Sequence, residues 1–287
     1  MGTFSKAVSE IRRSVDEKAR LFVGEMAGIV NAGGMGVRLR PYTLEQPKPL
    51  IKVGVEQRPL MYWAMLPLLI GGVSKFVVTL RYGREAIKAE FGSGEELSRE
   101  FGREIRISYV EEPEPLGRAG CIKLGLKEGK IKASKPAVII NASDILSLNL
   151  LDLVRHHLWQ RAIYGFEVTQ VYASGYSVQY GVGRLHPTTG QVLEFVEKPK
   201  RSEPTNTACY CLQERLRDFE RLERFPSNPE DELVHKWVEE GVLGSYVIPQ
   251  ERIISIKFEK DLEKANQIEL EKFVRSAYEG ANFGGVA

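Results

Sequence analysis

A glycine-rich run followed by basic residues is the part of the sequence best suited to chemistry. Residues 31–41 read Asn-Ala-Gly-Gly-Met-Gly-Val-Arg-Leu-Arg-Pro. Glycines this dense let the backbone approach a ligand closely, and successive free N–H groups in such a loop form a concave anion site. Lys48 follows between two prolines, which hold it on a stiff, extended arm. The run therefore predicts phosphate binding, with Arg38 and Lys48 adding full positive charge.

Three mechanisms could use such a loop. A P-loop requires Gly-Lys-Ser/Thr after four spacer residues, and that run is absent from the sequence. A dinucleotide fingerprint requires a third glycine three positions after Gly36, where Leu39 stands. A phosphate-binding loop with a catalytic arginine is the third possibility. A tight turn with solvated arginines is the alternative without function, and Lys48 on its proline-flanked arm argues against it.

Composition excludes several classes of partner. The chain has 287 residues, 43 % hydrophobic and 27 % charged, which is ordinary for a globular protein. A net charge of +2 predicts no broad basic surface for nucleic acid. Cysteines 121, 209 and 211 form neither a disulfide framework nor a zinc pattern, which favours a reducing, cytoplasmic setting. No apolar run approaches the ~20 residues that span a bilayer, so neither membrane insertion nor a targeting signal is expected.

Strands and helices alternate in the part of the chain that carries the loop. The pattern predicts strands at 27–31, 75–80, 105–110 and 137–141, and helices at 60–70, 84–91, 119–126 and 150–160. Such alternation is typical of a Rossmann-like α/β fold, a mixed but mostly parallel sheet with helices on both faces.

The pattern changes after residue 161. Strands are predicted closer together, at 164–172, 182–186, 192–196 and 207–212, and they indicate an antiparallel extension of the same sheet. Helices follow at 214–222, 231–240 and 259–278. We expect one domain over residues 26–287, with no hexapeptide repeat of a C-terminal left-handed β-helix.

Residues 1–25 are predicted to be a separate helical extension. Ala7, Val8, Ile11, Val15 and Ala19 recur at helical spacing. This amphipathic helix packs either on the domain or on a second subunit, so a homo-oligomer is possible.

The motifs taken together resemble those of the sugar-1-phosphate nucleotidylyltransferases. Residues 32–43 and then Pro47-Lys-Pro-Leu50 are similar to A-G/A-G-x-G-T-R-L-x-P-x-T and P-K-P-L, the opening of that family. The similarity continues in Pro115-Leu-Gly-Arg-Ala-Gly120, Asn141-Ala-Ser-Asp144, Tyr180-Gly-Val182 and Glu197-Lys-Pro199. It is greatest to the mannose-1-phosphate guanylyltransferase branch. The resemblance implies the nucleotide-diphospho-sugar transferase fold and transfer of a nucleotidyl group from an NTP to a sugar 1-phosphate, with GTP and mannose 1-phosphate as the best guess.

The resemblance also implies a role for each matched residue. Arg38 would clamp the triphosphate, Lys48 would lie beside the α-phosphate, and Asp144 would hold Mg²⁺ unless it only caps the helix after it. Lys198 would grip the sugar phosphate and Glu197 the sugar hydroxyls, with Gly181 and Thr207 nearby. The remaining nucleotide-binding residues would be Ala32, Gly33, Gly34, Gly36, Glu112 and Gly117.

Glu112 is the residue implied to face the base. A carboxylate accepts two hydrogen bonds, and guanine offers adjacent N1–H and N2–H₂ donors, so this residue would favour GTP. A solvated acidic loop is the alternative, since Glu111 and Glu114 flank it.

Four positions depart from the family pattern. Val37 and Arg118 replace threonines, and Cys209 replaces a glycine, where its side chain would fill space at the sugar. Ser255 stands where the family has its second metal-binding aspartate. Two hypotheses therefore stand: an active nucleotidyltransferase, or a homologue with little or no activity that binds a nucleotide sugar and regulates a partner subunit.

Overall fold

The computed structural model describes residues 2–279, and within them the side chains of all but residues 2–9, 11 and 12. The side chains of Ala7, Val8 and Ile11 in the predicted apolar stripe, and the whole of residues 280–287 of the predicted domain, thus lie outside what is described. The described strands are β1 (Ala27–Asn31), β2 (Lys52–Val53), β3 (Arg58–Pro59), β4 (Lys75–Leu80), β5 (Arg106–Glu111), β6 (Ala137–Asn141), β7 (Asp144–Leu146), β8 (Val168–Ser174), β9 (Tyr176–Ser177), β10 (Val182–Leu185), β11 (Val192–Val196), β12 (Lys200–Arg201), β13 (Thr205–Leu212), β14 (Leu243–Pro249) and β15 (Ile253–Ser255).

The described helices lie between these strands and after them. They are α1 (Gly2–Glu25), α2 (Tyr42–Glu45), α3 (Leu60–Gly71), α4 (Arg84–Phe91), α5 (Glu95–Phe101), α6 (Gly117–Lys127), α7 (Leu150–Tyr164), α8 (Leu216–Glu220), α9 (Leu233–Glu239), α10 (Glu259–Ala265) and α11 (Leu270–Glu279).

A seven-stranded sheet forms the centre of the fold. Its strand order is β14-β8-β13-β6-β1-β4-β5. All neighbours are parallel except β13, which runs antiparallel to both β6 and β8. This confirms the predicted α/β fold with a mostly parallel sheet and an antiparallel extension.

Helices cover both faces of the sheet. Along β1, Ile29 contributes to one buried cluster and Val30 to the other, because successive side chains of a strand point to opposite faces. The Val30 cluster packs against α1, α3, α7 and α11, and the Ile29 cluster against α6, α8 and α9. Since the strands are buried on both sides, they read as continuous apolar runs.

Two predicted elements were wrong in their extent. The strand predicted at 164–172 begins at Val168, because α7 continues to Tyr164 and ends at Gly165, whose φ is +74°. The predicted terminal helix is two helices, α10 and α11. The second begins where the Glu56 carboxylate accepts hydrogen bonds from the N–H groups of Leu270 and Glu271.

The hairpin of β10 and β11 also differs from expectation. Among the described strands, these two pair only with each other and form a sheet of their own. Every residue of β11 is exposed. The extension of the main sheet is made instead by β13, β8 and the edge strand β14, and the pattern did not predict β14.

The N-terminal helix packs against α7. Ala19 and Val23 are buried, and the Asp16 carboxylate pairs with Arg155 of α7 at 2.7 Å. The ring of Phe22 lies 5.7 Å from that of His157, measured between centroids. The sequence allowed α1 to pack either on the domain or on a second subunit, and in the structure it contacts the domain.

One edge of the sheet gathers the ends of the central strands. β1 is followed by the glycine-rich loop, β5 by Glu112, and β6 by the segment leading to Asp144. The antiparallel strand β13 begins at this same edge with Thr205. The carboxyl ends of parallel strands are where α/β folds place ligands.

His157 makes stability depend on pH. It is fully buried, its Nδ1 bonds the Thr169 hydroxyl at 2.9 Å, and Nε2 has no partner among the described residues. Burial lowers its pKa from 6.5 to about 4. Between pH 6.5 and about pH 4, the imidazole of the unfolded chain is protonated while that of the folded chain is not. The free energy of unfolding therefore falls as the pH is lowered through this range.

We expect His157→Gln to reduce the loss of stability between pH 7 and pH 5 by up to about 2 kcal/mol. Urea denaturation at the two pH values measures this loss, and His235→Gln, at an exposed position, should leave it unchanged. An equal loss in His157→Gln and the wild type would contradict the assignment.

Candidate active site

A cleft with three adjoining pockets lies at the ligand-binding edge of the sheet. We call them the loop pocket, the Glu112 pocket and the Thr207 pocket. The loop pocket is lined by Asn31, Ala32, Gly34, Gly36, Val37, Arg38, Leu39, Lys48, Pro49, Ala142, Ser143 and Lys257. It brings Arg38 and Lys48 together with the backbone of the glycine-rich run.

Two glycines of the run are required by close packing. Gly36 has φ +64°, and a Cβ there would lie 2.9 Å from the Thr43 methyl and 3.0 Å from the Lys48 Cβ. The Thr43 hydroxyl donates to the Gly36 carbonyl at 3.0 Å and closes the loop onto the Lys48 arm. A Cβ at Gly33 would lie 2.7 Å from Glu112 Oε1. The glycines thus allow the loop to approach Lys48 on one side and Glu112 on the other.

Lys48 is partly removed from water. Burial lowers its pKa to about 8; the charge of Asp144 opposes this shift, while Arg38 and Lys257 add to it. An ammonium group in such a place is poised to bind an anion, because the anion would replace the water that burial has removed.

Asp144 begins β7, which pairs with β15. Ser255 is its register partner and donates its hydroxyl hydrogen to Asp144 Oδ1 at 2.5 Å. The Asn141 amide donates to Oδ2 at 3.1 Å. Asp144 does not cap the following helix: Asn149 does, accepting from the N–H groups of Leu151 and Asp152. Asp144 therefore faces the cleft, where it lines the Thr207 pocket.

The donor set limits how a metal ion could be held. Within residues 2–279 no group of three or more His, Cys, Asp or Glu side chains could form a cage. Asp144 is the carboxylate at the predicted position, and both of its oxygens already accept hydrogen bonds. Mg²⁺ is commonly bound by one or two carboxylates plus substrate phosphates. Asp144 is therefore the residue of the cleft that would hold such an ion, with further ligands supplied by the substrate.

The Glu112 pocket adjoins the loop pocket at Gly34. Glu112 is only 7 % exposed, so the alternative of a solvated acidic loop is wrong for this residue. Its Oε2 accepts a hydrogen bond from the Leu116 N–H at 3.0 Å. The pocket is lined by Asn31, Gly33, Gly34, Thr79, Arg81, Glu112, Pro115, Gly117, Arg118, Cys121, Asn141, Ser143, Pro226 and Asn228.

Gly117 and Arg118 shape one wall of this pocket. Gly117 has φ +75°, and a Cβ there would lie 2.7 Å from the Ser227 nitrogen. Arg118 pairs with Glu230 at 2.6 Å, and its Nε donates to Asn228 at 3.3 Å. The charge of Arg118 is thereby largely neutralised within the protein.

The Thr207 pocket joins the loop pocket through Arg38, Lys48 and Lys257. It is lined by those residues and by Arg118, Asn141, Ser143, Asp144, Ala173, Tyr176, Thr205, Asn206, Thr207, Ala208, Glu230, Gln250, Ile253 and Ser255. The Thr207 hydroxyl donates to the Val171 carbonyl at 2.8 Å.

Cys209 does not fill space at the cleft, and that prediction was wrong. Its side chain is 1 % exposed and belongs to the buried core. The ladder between β13 and β8 shifts register between Asn206 and Cys209, and Ala208 has φ +57°. This irregularity turns Thr207 and Ala208 to the cleft and Cys209 to the interior.

The remaining predicted residues lie at the hairpin, outside the lining of the three pockets. A Cβ at Gly181 would lie 2.8 Å from Glu197 Oε2, so these two residues are neighbours. The Lys198 side chain is 64 % exposed, with Nζ 3.9 Å from Glu197 Oε1. The structure thus groups these three residues with one another.

Sequence reasoning missed several residues of the cleft. Asn141 orients Asp144, Glu230 neutralises Arg118, and Lys257 enters the loop pocket. For Lys257 a signal was present, since it lies two positions after Ser255 within the segment that departs from the family pattern. For Glu230 there was none, because its ion pair with Arg118 joins residues 112 positions apart.

Comparisons with known proteins show the family of the chain. A family model described as "Nucleotidyl transferase" matches residues 27–252. The mannose-1-phosphate guanyltransferase of Pichia angusta is 32 % identical over 228 residues, 78 % of this chain and 59 % of the relative. Mannose-1-phosphate guanyltransferase beta-A of Xenopus laevis is 30 % identical over 220 residues, 76 % of this chain and 58 % of the relative. The chain thus spans less than two thirds of the length of these relatives.

Solved structures show the same fold. A putative glucose-1-phosphate thymidylyltransferase from Bacillus anthracis, in complex with a sucrose, matches with a TM-score of 0.64 at 22 % identity, covering 91 % of this chain and 98 % of that one. HddC from Yersinia pseudotuberculosis matches with a TM-score of 0.60 at 24 % identity, covering 86 % and 99 %. No described helix is long and apolar enough to cross a membrane. The chain belongs to the nucleotidyl transferase family.

Proposed function

We propose that this chain transfers a guanylyl group from GTP to mannose 1-phosphate and releases pyrophosphate. Nucleotidyl transfer to a sugar 1-phosphate is the chemistry of its family; the base and the sugar are our assignment. The observation that carries the proposal is the loop pocket, where Arg38 and Lys48 adjoin the glycine-rich backbone a short distance from Asp144. The names of the guanylyltransferase relatives support the choice of substrates.

The reaction requires charge neutralisation above all. An oxygen of the sugar phosphate attacks the α-phosphorus; the new P–O bond forms as the bond to the β-phosphate oxygen breaks, and its electron pair leaves with pyrophosphate. Both reactants are anions, so positioning and cations make up most of the catalysis. Arg38 neutralises the leaving pyrophosphate and Lys48 the α-phosphate. Mg²⁺, held by Asp144 and phosphate oxygens, would add Lewis-acid charge stabilisation.

We assign the base to the Glu112 pocket. Glu112 is buried and one of its oxygens is already bonded to Leu116, which fixes the orientation of the carboxylate. Its other oxygen lies beside Gly33, where a base can approach because that residue has no side chain. A fixed acceptor favours guanine, whose N1–H and N2–H₂ are donors.

We assign the sugar phosphate to the Thr207 pocket and to the hairpin of β10 and β11. Thr207 and Ala208 line that pocket, and Gly181, Glu197 and Lys198, which lie outside its lining, are the hairpin residues that we assign to the sugar and its phosphate. Lysine suits a phosphate that must move, since it acts as a point charge.

Ser255 favours a second candidate function. A serine bonded to Asp144 replaces the second metal-binding carboxylate of the family pattern. A homologue that binds a nucleotide sugar and regulates a partner subunit would retain the pockets without turnover.

One assay separates the two functions. The protein is incubated with Mg²⁺, each of the four NTPs and a panel of sugar 1-phosphates, and pyrophosphate release is measured. We expect turnover, with Arg38→Ala and Asp144→Ala each lowering kcat about a hundredfold or more. Arg40→Ala, in the same loop but exposed and outside the pocket linings, should retain activity. Binding of nucleotide sugar without pyrophosphate release from any pair would instead establish the regulatory function.

The lowered pKa of Lys48 predicts a pH dependence of nucleotide binding. Below about pH 8 the ammonium is charged, and as the pH rises through that value it becomes neutral. The Kd for GTP should therefore rise between pH 7 and pH 9. Lys48→Arg, which stays charged throughout this range, should bind with a flatter profile in the same titrations. A profile as steep as that of the wild type would assign the pH dependence to another group.

Glu112→Gln tests the assignment of the base. The amide can keep the hydrogen bond from Leu116 but then presents donors to the base, so kcat/KM for GTP relative to ATP should fall about tenfold. Glu111→Gln is the matched control, because that carboxylate bonds Lys88 at 2.9 Å on another face. Selectivity that survives Glu112→Gln counts against guanine recognition by this residue.

A further inference from the structure

Lys257 is a third cation of the cleft, and the family pattern gives it no role. It lines both the loop pocket and the Thr207 pocket together with Arg38 and Lys48. In the described part of the chain none of the three lies within 4.0 Å of a carboxylate, whereas Arg118 in the same cleft is paired with Glu230. Asp144 is the one carboxylate lining these two pockets that has no ion pair among the described residues, so the three cations leave an excess of positive charge that a bound anion would neutralise.

The backbone fixes Lys257 at this place from both sides. The N–H of the preceding Ile256 donates to the Ser143 carbonyl at 3.2 Å, and the N–H of Lys257 itself donates to Asp261 Oδ2 at 3.0 Å. The following Phe258 lies beneath the Arg38 guanidinium, 5.6 Å from the ring centroid. The segment is therefore docked on the glycine-rich loop, and only the Lys257 side chain has to be ordered when a ligand binds.

The charge of this part of the cleft differs from that of the family pattern. Ser255 removes one negative charge next to Asp144, and Lys257, two residues later, adds one positive charge to the same pocket. Two carboxylates would repel a triphosphate unless metal ions came between them. One carboxylate among three unpaired cations attracts it directly.

We propose that Lys257 binds a phosphate oxygen of the nucleotide alongside Arg38 and Lys48, and that this set of cations binds the triphosphate before any metal ion does. The proposal rests on the proposed function and adds to it a phosphate-binding residue and an order of assembly. Ser255 removes a carboxylate that would bind a metal ion, and Lys257 adds a cation that binds phosphate directly. We interpret both changes as one shift, from binding the triphosphate through metal ions to binding it through side chains.

Calorimetry with inorganic tripolyphosphate in EDTA tests the proposal independently of the base and of turnover. We expect the wild type to bind without metal and Lys257→Ala to bind about tenfold more weakly, with Lys257→Arg close to the wild type. Lys264→Ala is the matched control, since that lysine is exposed on α10 and lines none of the three pockets. Ser255→Asp should weaken metal-free binding and enlarge the gain on adding Mg²⁺.

The outcomes separate this inference from the proposed function. Equal Kd values for Lys257→Ala and Lys264→Ala in EDTA overturn the role of Lys257 and leave the function standing. Binding of tripolyphosphate by the wild type only with Mg²⁺ overturns the order of assembly. No binding of tripolyphosphate or of any NTP, with or without Mg²⁺, overturns the proposed function itself.

Discussion

The short ladder between β7 and β15 holds the cleft together. It pairs Asp144 with Ser255, 111 positions away in the chain. By that pairing the segment after β15 reaches the glycine-rich loop, where Phe258 lies under Arg38 and Glu259 accepts a hydrogen bond from Tyr42. Asp144, Lys257 and the loop are neighbours because these few residues pair, so the position of Lys257 in the loop pocket depends on the ladder.

The residues proposed to bind the nucleotide and those proposed to bind the sugar phosphate lie on elements of different burial. The proposed nucleotide-binding residues lie on loops that continue directly from β1, β5 and β6, strands buried between two layers of helices. The hairpin that carries Glu197 and Lys198 is exposed, and its two strands pair with each other. Groups on buried strands lose little conformational entropy when a ligand binds, whereas groups on an exposed hairpin must be ordered by it. The proposed nucleotide-binding residues are accordingly better ordered before a ligand binds than the proposed sugar-binding residues.

What the sequence could predict was local. The glycine-rich loop and the central strands follow from glycine content and runs of β-branched residues, and both are where they were expected. The direction of Cys209 was not predictable, since a register shift and a left-handed Ala208 reverse the alternation that a regular strand would impose. The partner of Arg118 was equally hidden, because Glu230 meets it only through tertiary packing. Errors thus arose where long-range contacts override the local pattern.

Ser255, in place of a second metal-binding carboxylate, argues less strongly against catalysis in the structure than it does in the sequence alone. A site for phosphoryl chemistry must neutralise the developing charge, and side-chain cations can do part of what metal ions do. Burial and the charges of Arg38 and Lys257 disfavour the ammonium form of Lys48, whereas the charge of Asp144 favours it. An anion that binds there relieves the repulsion, and its binding free energy stabilises the folded state. The charges of the cleft are therefore best accounted for by a bound polyphosphate, whichever of the two functions follows from its binding.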